Sequence, residues 1–423
     1  MAKKETEQTE ISAPYELPEG WKWTSAKDIA DIYTGNSINE KVKAEKYTGQ
    51  TTGLNFIGTK DVDFDGSINY ENGVKITDFE NFKTAPANTA LLCIEGGSAG
   101  RKLGFTEEKV CFGNKLCAFV SKTIEPKLIY YYLQSNVFFY CFMKERHGLI
   151  GGVSVNTLKQ LPFPLPPTLA EQKRIVSRIE SMFSKLDEAK DKAQSVVDGF
   201  ELRRAAILHK AFTGALTAKW RKENGVSDES WEEKKLEDCG KWERGRSKHR
   251  PRNAPELFGG KYPFIQTGDI ANADVFINEH KQTLSEFGFQ QSRLFPKGTL
   301  CITIAANIGK VAILSYDCCF PDSVVGFTPF ENIDSKFMYF KINDIQKYLE
   351  AMAPATAQKN LNLKLLTSVI IQIPTLAEQQ EIVRILDSVL EKEADAKETA
   401  EYVLEQIDLL KKSILARAFR GEL

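Results

Sequence analysis

The chain is poor in the residue patterns that usually announce chemistry. Its four histidines, His147, His209, His249 and His280, are scattered and form no set. Its eight cysteines (93, 111, 117, 141, 239, 301, 318 and 319) contain no CxxC pair and no zinc-type spacing. Several lie in apolar runs such as "LLCIE" and "LCITI", where cysteine serves as a small hydrophobe. No GxxxxGK[ST] loop is present, because "IGKV" at 308–311 lacks the upstream glycine and the Ser/Thr. HExxH and GxSxG are missing too, as is the [ND]PP[YF] box of adenine methyltransferases; the one Pro-Pro is "LPPT". A degenerate nuclease pattern, Asp322 with Asp334 and Lys336, is the only remnant of a metal site, and it arises often by chance. These gaps predict a chain without a catalytic centre, cofactor or metal.

Long apolar runs are also lacking. None approaches the roughly 20 residues that span a bilayer, and the polar opening "MAKKETEQTEISAP" has no secretory apolar stretch. The expectation is a disordered tail over 1–14, a cytoplasmic location and no membrane partner. Net charge is −1, with 56 basic against 57 acidic residues, so nucleic-acid binding is not announced by composition.

What the chain does have is repetition. "PTLAEQ" begins at Pro167 and again at Pro374. "ILHKAFTGAL" (207–216) likewise returns as "ILARAFRGEL" (414–423), and "FIGTKDV" (56–62) answers "FIQTGDI" (264–270). This is a tandem duplication. Each half opens with short β-prone runs punctuated by Gly, Asn and Asp turns, and closes with a long helical pattern. The divisions expected are 15–166 and 217–373 for the mixed, β-rich parts, and 167–216 and 374–423 for the helices.

Thr168 with Glu171, and Thr375 with Glu378, fit a capping box. Gly214 and Gly421 suit the helix stops. About 44 residues lie between, roughly 66 Å of helix. Ile175, Ile179, Met182, Leu186, Ala189, Ala193, Val196 and Phe200 alternate steps of four and three. Ile382, Leu386, Val389, Glu393, Ala396, Ala400, Val403 and Ile407 keep the same register, continued by Leu410 and Ile414, and only Glu393 interrupts the stripe. The matched registers predict that the helices pair with each other as an antiparallel coiled coil, which would give the halves pseudo-twofold symmetry. Packing inside a single domain is the plainer alternative. The fold class is therefore α+β, duplicated.

Charge is segregated in one place. "KWERGRSKHRPR" (241–252) holds six Lys/Arg against one Glu. Arg244, Arg246, Lys248, Arg250 and Arg252 are candidate DNA contacts, since such side chains neutralise phosphates and Arg can bridge guanine. A solvated loop is the bland alternative. The matching stretch "YTGNSINEKVKAEKYTG" (33–49) offers Asn36, Lys41, Lys43 and Lys46, with Glu40 and Glu45 nearby.

Several of these stretches together resemble the specificity subunits of Type I restriction–modification systems. "LPFPLPPTLAEQKRIVSRI" (161–179) and "VIIQIPTLAEQQEIVRI" (369–385) look like that family's proline-led approach to its long helices. "GGKYPFIQTGDI" (259–270) and "FPKGTLCITIAANIGKVAIL" (295–314) look like its recognition-domain core. The resemblance implies that each β-rich part is a target recognition domain reading half of a gapped site on double-stranded DNA. It also implies two methyltransferase subunits using S-adenosylmethionine to modify adenine N6, with restriction subunits adding ATP/Mg-driven cleavage. An adaptor for a Type II-like fused methyltransferase–nuclease, or a protein-binding scaffold, would share many of these features.

Overall fold

A computed structural model describes residues 14–147, 151–305, 307–353 and 361–423. The tail expected over 1–14 lies outside these residues, Pro14 excepted. The chain forms two compact units. One comprises residues up to 194 together with 401–423; the other comprises 195–400.

The duplication is visible in the sheets. In the first unit, strands Ala30–Thr34, Leu116–Ser121, Ala90–Cys93 and Leu103–Phe105 lie in that order, all antiparallel. A second sheet has the order Lys75–Ile76, Leu54–Ile57, Val110–Phe112, Thr84–Ala85, with a parallel pair at its centre. The second unit repeats this plan with Gly240–Arg244, Val324–Pro329, Leu300–Thr303 and Val311–Leu314, then adds Phe276–Ile277 as a parallel edge. Its smaller sheet again pairs two strands in parallel, Phe258–Phe264 with Cys318–Cys319. The inner strands are fully buried and read as continuous apolar runs, not as alternating ones. Seven of the eight cysteines are buried here, and burial pushes the Cys117 thiol up to about 12 and those of Cys111 and Cys239 up to about 11.

A two-stranded ribbon closes each domain just before its long helix. Lys22–Ser25 pairs with Pro162–Leu165, and Glu232–Lys235 pairs with Ile370–Ile373. The first long helix runs Leu169–Asp198, breaks at Gly199, and resumes over Phe200–Phe212. One uninterrupted helix was expected. Arg203 bends back at the break, donating from Nη2 to the Val196 carbonyl (2.9 Å) and from Nε to Glu393 (2.7 Å). The guanidinium takes up the Val196 carbonyl beside the break, competing there with the helix's own ladder. The same contact pairs Glu393, the one charge in the second stripe. The second helix is continuous over Leu376–Ala418.

The helices pair antiparallel within each unit. In the first, Arg174 donates to the Leu423 carbonyl (2.7 Å) while Asp187 pairs with Lys411 (2.5 Å). In the second, Lys397 covers the Phe200 ring and Arg203 meets Glu393. As one helix ascends in number the other descends. Ile175, Ile179, Ile382, Leu386 and Ile407 are buried, whereas Met182, Leu186, Val196, Phe200, Val389 and Val403 are half-buried. Leu410, expected on the stripe, is 48% exposed, and Leu415 is buried instead.

The helix starts depart from the capping box. Both threonines accept as expected, from the amides of Glu171 (3.1 Å) and Glu378 (3.4 Å). Neither glutamate closes the box. Glu171 binds Arg174 on the surface, and the fully buried Glu378 accepts from Thr217, Arg221 and Trp231. The docking residue is the last letter of the repeat. Gln172 accepts from the Glu125 amide (3.0 Å) and donates to the Pro166 carbonyl. Gln379 accepts from the Asp334 amide (2.8 Å) and donates to the carbonyls of Pro374 and Asn332. Glu125 and Asp334 are the N-caps of the equivalent domain helices Pro126–Leu133 and Ser335–Asp344.

The two glutamates should respond oppositely to truncation. Glu378→Ala strands a buried guanidinium and should cost about 3–5 kcal/mol, whereas Glu171→Ala, at a surface pair, should stay within about 1 kcal/mol. Urea unfolding midpoints check this, and equal losses would contradict the buried-pair account.

Candidate nucleic-acid interface

Both candidate loops spring from one framework. In each domain the strand that opens the larger sheet, Ala30–Thr34 or Gly240–Arg244, ends at a buried glycine, Gly35 or Gly245, that crosses the parallel strand of the other sheet. A Cβ at Gly35 would lie 1.9 Å from the Phe112 carbonyl oxygen, and one at Gly245 would lie 2.2 Å from that of Pro321. The next residue then hydrogen-bonds the strand below: the Asn36 amide donates to Phe112 (2.9 Å) and the Arg246 amide to Phe320 (3.1 Å). Asn36 and Arg246 thus occupy the same place on duplicated scaffolds, and from there the loops diverge.

In the second unit, three of the five candidate cations help to build the loop. Arg244 donates from Nε to the Asp322 carbonyl, and Arg252 pairs with the Asp322 carboxylate (2.8 Å). Arg250 donates to the carbonyls of Ser247 and His249 (2.8 Å each). Lys248 is exposed, and its ammonium makes no ion pair among the described residues. Arg246 keeps a buried Nε without a partner. His249 sits 3.7 Å from Glu256 and packs edge-on to the half-exposed Phe287. Asp322 is therefore a loop anchor. Of the other residues in the nuclease-like pattern, Asp334 caps its own helix and Lys336 pairs with Asp387 (2.6 Å). The three are each engaged elsewhere.

In the first unit the candidate lysines are compensated. Lys41 pairs with Glu45 (3.9 Å), Lys43 with Glu40 (3.6 Å), and Lys46 with Asp78 (2.8 Å). The hydrogen bond to Asp78 raises the Lys46 ammonium above its ordinary value and lowers the Asp78 carboxyl. Asn36 Oδ1 accepts from the Lys83 amide (2.8 Å). Two cations that the sequence reading passed over lie here without ion pairs among the described residues: exposed Lys83, and Lys109 above the Phe79 ring. Each stands alone in the sequence, 26 positions apart, so no local run could flag them.

The duplicated framework coincides with a duplicated family signature. The family described as "Type I restriction modification DNA specificity domain" matches residues 18–196 and again 228–406. The chain belongs to this family. It carries two DNA specificity domains in tandem. Curated relatives include the EcoBI specificity subunit of Escherichia coli, 27% identical over 64% of this chain and 60% of that protein. The putative MjaX specificity subunit of Methanocaldococcus jannaschii is 24% identical over 96% of this chain and 95% of its own length. Among solved structures, the fold is similar to an HsdS subunit from Thermoanaerobacter tengcongensis, with TM-score 0.67, 18% identity and coverage of 97% and 99%. It is also similar to a chain from a study of Type I restriction–modification complex assembly, with TM-score 0.71, 17% identity and coverage of 97% and 100%.

The crossing glycines give the specificity domains a direct test. Gly35→Ala and Gly245→Ala force a methyl against a carbonyl and should each destabilise by about 1–3 kcal/mol or more. Gly268→Ala, with open space around it, should change stability by less than about 0.5 kcal/mol. Thermal melts of the three variants decide the point, and tolerance at both crossing sites would contradict the shared root.

Proposed function

We propose that this chain is the DNA-reading subunit of a Type I restriction–modification assembly. Each recognition domain reads one half of a bipartite site on double-stranded DNA, and the paired helices set the unspecified gap between the halves. Methyltransferase subunits, two in the expected complex, supply adenine-N6 methylation from S-adenosylmethionine, and restriction subunits supply ATP/Mg-driven cleavage. Those cofactors belong to the partners; this chain positions them on sequence. No described helix is long and apolar enough to cross a membrane, which accords with work on DNA in the cytoplasm.

The observation that carries the reading is the pairing of one scaffold with two different loops. Gly35 and Gly245 root them identically, but one continues with Asn36 and acid-paired lysines, the other with Arg246, Lys248 and an arginine-built arch. Two readers of different chemistry on one framework suit a site with two different halves. A relative named as a putative Type I specificity subunit, matched over 95% of its length, favours this over the fused methyltransferase–nuclease adaptor.

Within the arch, Lys248 and Arg246 take different roles. Lys248→Ala should weaken binding uniformly across sequences and lower the salt dependence by about one counterion. Arg246→Ala should lose about 1–3 kcal/mol on the matched site alone. Fluorescence anisotropy over a salt series measures both. Unchanged affinity and slope in the two variants would remove the loop from the interface.

A further inference from the structure

The smaller sheet of the second unit carries two exposed glutamines on the face that lies under the basic arch. Phe264 and Leu284 line a small cavity there together with Arg246. Side chains two apart on a strand share a face, as do residues directly opposed on antiparallel strands. Gln282 opposes Phe264 and precedes Leu284 by two, and Gln266 follows Phe264 by two. Ile265, between them, turns into the other core cluster. Gln266 and Gln282 therefore continue the Arg246 face past its apolar floor and out to solvent.

Arg246 and Gln266 flank one strand end. Cys319 and Phe320 are consecutive, and their carbonyls accept from the amides of Ile265 (3.0 Å) and Arg246 (3.1 Å) on its two edges. With neighbouring strands about 4.8 Å apart, the two segments lie about 10 Å apart, the span of about three base-pair steps.

The amide is aimed. Gln266 donates from Nε2 to Gln282 Oε1 (2.7 Å), which fixes the direction of an otherwise rotatable side chain. Its main-chain amide donates to the Asp269 carboxylate (2.8 Å), so the backbone is held too. Left over on Gln266 are Oε1 and one N–H, neither with a partner among the described residues. One acceptor beside one donor matches the N6–H and N7 of adenine in the major groove.

The first domain keeps the backbone and drops the side chains. Gly58 takes the place of Gln266, and its amide likewise donates to a carboxylate, that of Asp61 (2.8 Å). The register that pairs Asn55 with Lys75 gives the place of Gln282 to Val74, which is buried. Amides that served only to close the hairpin would be needed in both domains. Kept in one and absent from the other, on one framework, they vary as a reading position does.

We propose that Gln266, oriented by Gln282, reads an adenine in the half-site that Arg246 contacts. The proposal rests on the DNA-reading function above and assigns one of its bases. The test co-expresses the full chain with its methyltransferase subunits and maps modified adenines across the genome. Arg246→Ala marks the half-site of the second domain. In that half-site, Gln266→Ala should lower the bias at one A·T position at least tenfold in methylated-site counts. The position should lie within about three base pairs of the one that Arg246→Ala relaxes. Gln266→Glu should move the preference there from adenine to cytosine, because a carboxylate accepts from cytosine N4. Gln282→Ala, which removes only the orienting contact, should relax the same position partially. The other half-site should stay as in wild type, which shows that each variant folds and assembles. Full selectivity at every position in Gln266→Ala, or relaxation confined to G·C positions, overturns the assignment. A wild-type complex that modifies no gapped motif removes the DNA-reading function and this reader with it, so the two failures are told apart.

Discussion

Everything in this structure depends on each long helix delivering its end to the opposite half's domain. Phe419, at the end of the second helix, is buried against Tyr132 of the first domain, with ring centroids 5.1 Å apart. Phe212, at the end of the first, meets Phe337 of the second domain at 5.4 Å. Burying a phenylalanine side chain contributes about 1.5–3 kcal/mol, and here the burial also decides direction. An antiparallel pairing brings residues 401–423 to the unit built from the first half, and 200–212 to the unit built from the second. The domain cores are completed by this exchange, because Leu415, Ala418 and Phe419 belong to one core cluster and Leu208, Ala211 and Phe212 to the other.

The start of each helix is fixed just as firmly. Gln172 and Gln379 bind the N-cap amide of the domain helix they lean on, and two turns later Lys127–Glu180 and Lys336–Asp387 repeat the attachment. A helix so held at its root carries its domain with it. That rigidity is what a gap-setting element needs, whereas the candidate loops sit on the far side of a glycine crossing and are free to diverge without disturbing it.

Much of this was legible in the sequence. The repeated hexamer, the heptad steps and the glycine stops gave two long helices with their pairing, since 3.5-residue periodicity and capping chemistry are local signals. The break at Gly199 was not, because Arg203 there reaches Val196 and Glu393 together, a tertiary contact. The role of Glu378 escaped for the same reason. Its capping-box spacing is right, but Arg221, Thr217 and Trp231 come from the segment that joins the halves. In the loops, composition located the basic arch around Arg246 and Lys248. It could not foresee that Asp322 ties down Arg244 and Arg252, or that Asp78, 32 residues away in sequence, compensates Lys46.

The central claim is that two recognition domains on one chain specify one gapped DNA site. Co-expression with the methyltransferase subunit in a methylation-free host, followed by genome-wide mapping of modified adenines, tests it most directly. The account predicts a single gapped motif with methylated adenines in both halves, lost when this chain is omitted. A stable complex that leaves the genome unmethylated, or a motif without a gap, would contradict it.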